Sequence, residues 1–173
     1  GIDVVIESTG RFTKSEDARM HIKAGAKRVV ISGPTKSPDA DTIVLGANDE
    51  KLEKSTDVIS NASCTTNSLG AIMSILDEAF GVEKAMLTTV HSYTASQVLQ
   101  DGPAKDMRES RAAAENNVPT TTGAAIAVTL TVPQLKGKFD GMSVRVPTPV
   151  VSLSDITMVL KKTVTKEQIN QVI

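Results

Sequence analysis

One cysteine stands in the 173 residues, in the stretch Ile59-Ser60-Asn61-Ala62-Ser63-Cys64-Thr65-Thr66-Asn67. A cysteine that only packs is expected among Leu, Val and Ile. Cys64 instead has small hydroxyl and amide neighbours, which leave room for a bound molecule and offer donors to an oxyanion. The second group able to do chemistry is His91, at the end of Thr88-Thr89-Val90. A neighbouring imidazole can take a thiol proton and later move protons at a reacting carbon. The plainer readings are an inert cysteine next to a helix cap and a histidine that closes a polar strand end. His21, in the middle of a helical segment with no chemical company, is read as structural.

Around this pair lies a supply of anion-binding groups. Ser63, Thr65, Thr94, Thr120, Thr121, Thr122 and the N–H of Gly123 fall in loops or at predicted helix starts, where backbone donors favour anions. Arg111 lies in a long polar segment. Arg145, between Val144 and Val146, either points to solvent from an edge strand or grips a phosphate bidentately. Two distant histidines and one cysteine show no metal-ligand spacing.

These groups need elements to position them. Asp3 to Glu7, Val29 to Ile31, Ile43 to Leu45 and Val58 to Ser60 read as strands. A helix is predicted over 13–26, with a capping box from Thr13 and Glu16 and a stop at Gly25. Strands separated by helices predict a parallel α/β sheet, and the β-branched strands fit burial on both faces. A helix from about Thr65 to Phe80 follows, with Leu69, Ile72, Met73, Leu76, Ala79 and Phe80 at helical spacing and Gly81 to end it. Cys64 thus falls at a helix N-terminus, where unpaired N–H groups and the dipole stabilise a thiolate. Lys84 to Val90 is a strand that ends at His91. If it returns beside the preceding strand, the thiol and the imidazole meet.

The segment 92–122 reads as one long polar loop. A helix is predicted over 123–130 and strands over 142–146 and 151–160. Thr165 is placed to cap a final helix. The change of style near Cys64, from parallel α/β to α+β, predicts a boundary between domains 1–63 and 64–173. A chain that opens on a strand and stops within a helix reads as an internal piece of a longer protein. There is no internal repeat.

The balanced net charge of −1 supplies no basic footprint for nucleic acid and no acidic tail. No apolar run is long enough to span a membrane. One cysteine permits no internal disulfide, which suits a reducing, cytoplasmic setting.

Several motifs, in order, resemble the phosphorylating glyceraldehyde-3-phosphate dehydrogenase family. They are Glu7-Ser8-Thr9-Gly10-Arg11-Phe12, Ala62-Ser63-Cys64-Thr65-Thr66-Asn67, Thr88-Thr89-Val90-His91-Ser92-Tyr93-Thr94, Asp101-Gly102-Pro103, Pro119-Thr120-Thr121-Thr122-Gly123-Ala124-Ala125 and Val144-Arg145-Val146-Pro147-Thr148-Pro149. The resemblance covers essentially the whole chain. It implies the C-terminal part of a Rossmann-type dinucleotide-binding domain followed by most of a mixed-sheet catalytic domain.

The resemblance also implies a reaction: NAD- or NADP-dependent phosphorylating oxidation of an aldehyde. Cys64 would form the hemithioacetal and thioester, and His91 would act as base. Thr94 and Arg145 match the site for substrate phosphate. Ser63, Thr65, Thr122 and Gly123, with Arg111 nearby, match the site for attacking phosphate. Thr9, Gly10, Phe12 and Ser32 match the cofactor side. A cytoplasmic homotetramer follows from the same likeness.

The sequence departs from the family in having Ser68 where a second cysteine is common, and it lacks the glycine-rich G-x-G-x-x-G turn, so the choice between NAD and NADP is open. Other readings are an erythrose-4-phosphate dehydrogenase, a Cys–His hydrolase or acyltransferase needing no nicotinamide, and a non-catalytic binding module.

Overall fold

The computed structural model describes residues Gly1–Ile173. Strands β1 (Ile2–Glu7), β2 (Ala26–Ile31), β3 (Asp41–Thr42) and β4 (Val58–Ser60) form one sheet in the order β1-β2-β4-β3. Every pairing in it is parallel, so its strands need crossovers. Helix α1 (Ser15–Lys23) makes the first. Its Ala18 packs with Val29, Ile31, Ala40 and Val58 into a small core.

Three local expectations change here. The predicted Thr13–Glu16 capping box does not form, because the helix starts at Ser15 after an extended Lys14. Its first turn is satisfied from a distance: Ser37 Oγ accepts from Ser15 N–H at 3.0 Å, and Ser15 Oγ donates to Asp39 at 2.6 Å. The strand expected over 43–45 is instead the pair Asp41–Thr42. Beyond it the chain turns, held where Asn48 Oδ1 accepts from Val44 N–H at 2.8 Å. Strand β1 is also not buried on both faces. Glu7 turns toward α1, while by strand alternation Ile2, Val4 and Ile6 face away, at 62, 51 and 69% exposure.

Helix α2 (Cys64–Phe80) links this sheet to a second one. The second sheet holds β5 (Val82–Ser92), β6 (Val118–Thr121), β7 (Phe139–Val146) and β8 (Ser152–Leu160) in the order β6-β7-β5-β8. The β5–β7 pair is parallel, and β5–β8 and β6–β7 are antiparallel. Strand β6 lies within the segment read from sequence as loop. It is a short edge strand, the position in which a sheet tolerates Pro119. Helix α3 (Ala124–Thr131) covers the sheet with α2, and α4 (Lys166–Val172) starts at Thr165 with a complete capping box.

The main core joins Leu69 and Met73 of α2, Val82, Ala85 and Leu87 of β5, and Ala125 and Val128 of α3 with Leu135 and Phe139. This apolar stripe holds α2 against the sheet. Truncating a fully buried side chain in it, such as Met73 to Ala, costs about 2–5 kcal/mol. One glycine sets a distance. A Cβ on Gly141 would lie 2.7 Å from the Leu87 backbone oxygen, so β5 and β7 keep their approach only with glycine there. Four residues further along the same two strands, His91 pairs in register with Arg145.

Candidate active site

The turn before Cys64 is built by its own polar side chains. Ser63 is the N-cap of α2, and its Oγ accepts from Thr66 N–H at 3.1 Å. Asn67 Nδ2 donates back to the carbonyls of Asn61 and Ser63, at 2.6 and 2.9 Å. Ala62 adopts a left-handed backbone with φ 59°, a costly conformation for a residue with a Cβ. The cap fixes the backbone, and the Cys64 side chain emerges exposed at the first position of the helix.

His91 comes from the far end of β5. Its Nε2 lies 3.3 Å from Cys64 Sγ. Thr65 Oγ1 is 4.0 Å from the same sulfur. On the other side of the ring, His91 Nδ1 is 2.7 Å from the Ser92 carbonyl oxygen and 2.6 Å from Arg145 Nη1. Arg145 is therefore not on an edge. It sits on interior strand β7, half-buried, with its Nε enclosed and unpaired. Burial holds its guanidinium below the usual arginine range, opposed by the charges of Glu109 and Cys64.

A cleft of about 740 Å³ opens over this cluster. It is lined by Ser63, Cys64, Thr65, His91, Thr94, Thr122, Gly123 and Arg145, all singled out from sequence. The N–H of Ala124, in the first turn of α3, is already taken by Thr122 Oγ1 at 3.1 Å. Ser63 Oγ is likewise occupied by the α2 cap. Thr94 Oγ1 is 3.1 Å from Ser96 Oγ, so the groups most open to an incoming anion are Thr65 and the Arg145 guanidinium.

The structure leaves other expected residues outside. Arg111 pairs with Asp101 at 2.9 Å and is well exposed, away from the cleft. Two exposed partners on loops satisfy each other there without reaching the thiol. Thr9, Gly10 and Phe12 follow β1, and Ser32 follows β2, with its N–H donating to Glu7 O at 2.9 Å. None of the four lines the cleft.

His21 also departs from the sequence reading, since its Nε2 is 2.8 Å from the buried carboxylate of Glu7. The Thr9 hydroxyl and His21 hold Glu7 below the usual carboxylate range.

Sequence reasoning missed the facing wall, Pro34-Thr35-Lys36-Ser37 with Ala40 and Thr42. Its signal was the Gly33-Pro34 turn at the carboxyl end of a parallel strand, a position that favours ligands. Also missed was the floor, where the Thr89 and Ser143 hydroxyls are buried without hydrogen-bond partners. No cluster of three or more His, Cys, Asp or Glu side chains could hold a metal ion.

The fold and the site together define an α/β protein that sets a thiol at a helix N-terminus against a strand-borne imidazole, across a mixed sheet. The family model for glyceraldehyde 3-phosphate dehydrogenase, C-terminal domain, matches residues 63–173, and the chain belongs to that family. It is 57% identical over 171 residues to glyceraldehyde-3-phosphate dehydrogenase of Geobacillus stearothermophilus, covering 98% of this chain and 51% of that protein. The enzyme of the same name from Mycolicibacterium smegmatis is 54% identical over 170 residues, covering 98% and 50%. That of Mycobacterium leprae is 53% identical over 172 residues, covering 99% and 50%. The chain spans about half the length of these curated relatives.

Proposed function

We propose that the complete protein oxidises glyceraldehyde 3-phosphate to 1,3-bisphosphoglycerate, with inorganic phosphate as the second substrate and a nicotinamide cofactor. The observation that carries this reading is the 3.3 Å approach of Cys64 Sγ to His91 Nε2 in a cleft that also holds Arg145 and Thr94.

Cys64 bonds to the aldehyde carbon and forms a hemithioacetal, and His91 takes the proton of its hydroxyl. A nicotinamide, when bound, supplies the hydride acceptor that turns this adduct into a thioester on Cys64. A soft sulfur leaving group keeps the acyl carbon reactive enough for phosphate to displace it. Arg145 and Thr94 hold the substrate phosphate. Thr65, with Ser63, Thr122 and Gly123 around it, receives the attacking phosphate.

The residues present fit a cofactor with a planar, partly apolar ring. Ile126 and Leu130 form an exposed apolar wall of the cleft, at 68 and 55% exposure, facing the polar 34–37 segment and the unpartnered Thr89 and Ser143 hydroxyls. Thr9, Gly10, Phe12 and Ser32 would hold the adenosine side, on the carboxyl-end side of the parallel sheet. NAD is our choice, with NADP open. Residues 1–63 are then the cofactor-binding part and 64–173 the catalytic part of a cytoplasmic homotetramer. No helix is long and apolar enough to cross a membrane.

The reading is tested by following reduced nicotinamide in the complete protein. Absorbance should rise only with glyceraldehyde 3-phosphate, cofactor and phosphate together. Phosphate-independent release of a carboxylic acid would favour a hydrolase, and preference for erythrose 4-phosphate would favour the four-carbon relative.

A further inference from the structure

A carboxylate almost closed off from water stands at the carboxyl end of strand β1. The Glu7 side chain is 3% exposed, and a buried charge persists only when it is paired and hydrogen-bonded. Its partners come from two directions. Oε1 accepts from the Thr9 N–H at 2.8 Å and from the Thr9 hydroxyl. Oε2 lies 2.8 Å from Nε2 of His21, in the last turn of α1. An ionised carboxylate only accepts, so this ring nitrogen carries a proton and donates. The bonds continue outward, since Thr9 Oγ1 accepts from the Arg11 N–H at 3.1 Å. The His21 ring also meets Phe12 edge-on, with centroids 6.2 Å apart. Glu7 and His21 thus hold the turn Thr9–Phe12 at both of its ends, and Gly10 supplies the left-handed residue between them, at φ 73°.

The packing of β1 on α1 does not need this charge. An apolar pair of the same volume would serve a contact between sheet and helix as well or better. An apolar pair could not accept from Thr9 and fix the turn that follows the strand. That turn lies at the carboxyl end of a parallel strand, a position that favours ligands.

We propose that Glu7 and His21 are positioning residues for the cofactor, which set the turn Thr9–Phe12 in the shape that receives the adenosine half of the dinucleotide. This rests on the reading that Thr9, Gly10 and Phe12 hold the adenosine side. The Thr9 hydroxyl is spent inside the turn, donating to Glu7 and accepting from Arg11. The turn therefore meets a ligand with the backbone at Gly10 and the ring of Phe12. A seat ordered in advance loses less freedom on binding, so the benefit appears as affinity. Neither Glu7 nor His21 lines the cleft over Cys64, so the effect falls on cofactor binding and leaves the chemical step alone.

The test titrates the complete protein with ADP-ribose, which has the adenosine half of the dinucleotide and no nicotinamide, and follows steady-state kinetics beside it. His21→Phe keeps an aromatic edge for Phe12 and removes the donor to Glu7. It should raise Kd for ADP-ribose and KM for the dinucleotide by about threefold to tenfold, the weight of one hydrogen bond, without lowering kcat. His21→Gln returns an N–H near the place of Nε2 and should recover most of the loss. Glu7→Gln sets an amide against the His21 donor and should weaken ADP-ribose as His21→Phe does.

Unchanged affinity in His21→Phe overturns the proposal, and so does a loss that His21→Gln fails to relieve or one matched by an equal fall in kcat. His21 is 31% exposed, so its variants decide the matter even if Glu7→Gln does not fold. Phe12→Ala separates the two readings. If it weakens ADP-ribose while His21→Phe does not, the adenosine seat stands and the positioning role falls. If Phe12→Ala leaves ADP-ribose binding as it was, the seat lies elsewhere and both readings fall.

Discussion

Cys64 Sγ and His91 Nε2 stand 3.3 Å apart across 27 residues of chain, one at the start of a helix and the other at the end of the strand that follows it. The intervening helix and strand fold back as a single hairpin-like unit, so the separation depends on core packing and not on a mobile loop. Replacing Cys64 with Ala is expected to remove oxidation outright. His91→Asn leaves a nucleophile without its base and should lower turnover by about 10²- to 10⁴-fold. Equal and complete loss in both variants, measured as cofactor reduction, would contradict the division of roles.

Arg145→Ala should raise KM for a phosphorylated aldehyde by at least about tenfold, the weight of one charge-assisted contact. KM for a non-phosphorylated aldehyde should change far less. Steady-state kinetics with both substrates checks this, and equal changes would take Arg145 out of the phosphate site.

Gly141→Ala inserts a Cβ where the Leu87 backbone oxygen lies 2.7 Å away. Strands β5 and β7 must then separate, at a cost of about 1–3 kcal/mol. The same displacement spreads His91 from Arg145, so the variant should lose both stability and turnover. Urea unfolding and kinetics on one sample measure the two effects. Wild-type stability in this variant would show that the strand spacing is not set by Gly141.

Glu7 makes a pH prediction of definite sign. Its carboxyl is held below the ordinary value of 4.5 by the Thr9 hydroxyl first and His21 second. The folded value is the depressed one, so this contribution is full above the unfolded value and disappears as pH falls through the folded one. Wild type should therefore lose stability in acid more steeply than Glu7→Gln. Unfolding midpoints from about pH 7 to about pH 3 test it, and parallel curves would rule it out.

Much of the site was legible because its chemistry is local in sequence. The cap of α2 lies within Ser63–Asn67, and the apolar period of Leu69, Met73, Leu76 and Phe80 announces the helix that carries Cys64. The run Lys84 to Val90, ending at His91, also reads as a strand from its own residues. What escaped notice depends on distant partners. The first turn of α1 is satisfied by Ser37 and Asp39, which no local pattern reveals. His21 has no chemical neighbour in sequence and gains one only when β1 brings Glu7 under α1. Edge strand β6 has only four residues, Pro119 among them, too few for a period to show. The wall at 34–37 becomes part of the cleft only when the two sheets meet.

Strand β5 is hydrogen-bonded along both edges, to β7 on one side and β8 on the other. Amides of Thr88 to Val90 should exchange with deuterium only in global unfolding, whereas the first turn of α2 and the segments around Pro34 and Tyr93 exchange by local opening. His91 is thus mounted on one of the last parts of the molecule to open, and the thiol on the end of a helix, which opens before the sheet does. Heating should loosen the sulfur's position before the ring's, so that alkylation of Cys64 loses its dependence on His91 at temperatures where the sheet is still intact.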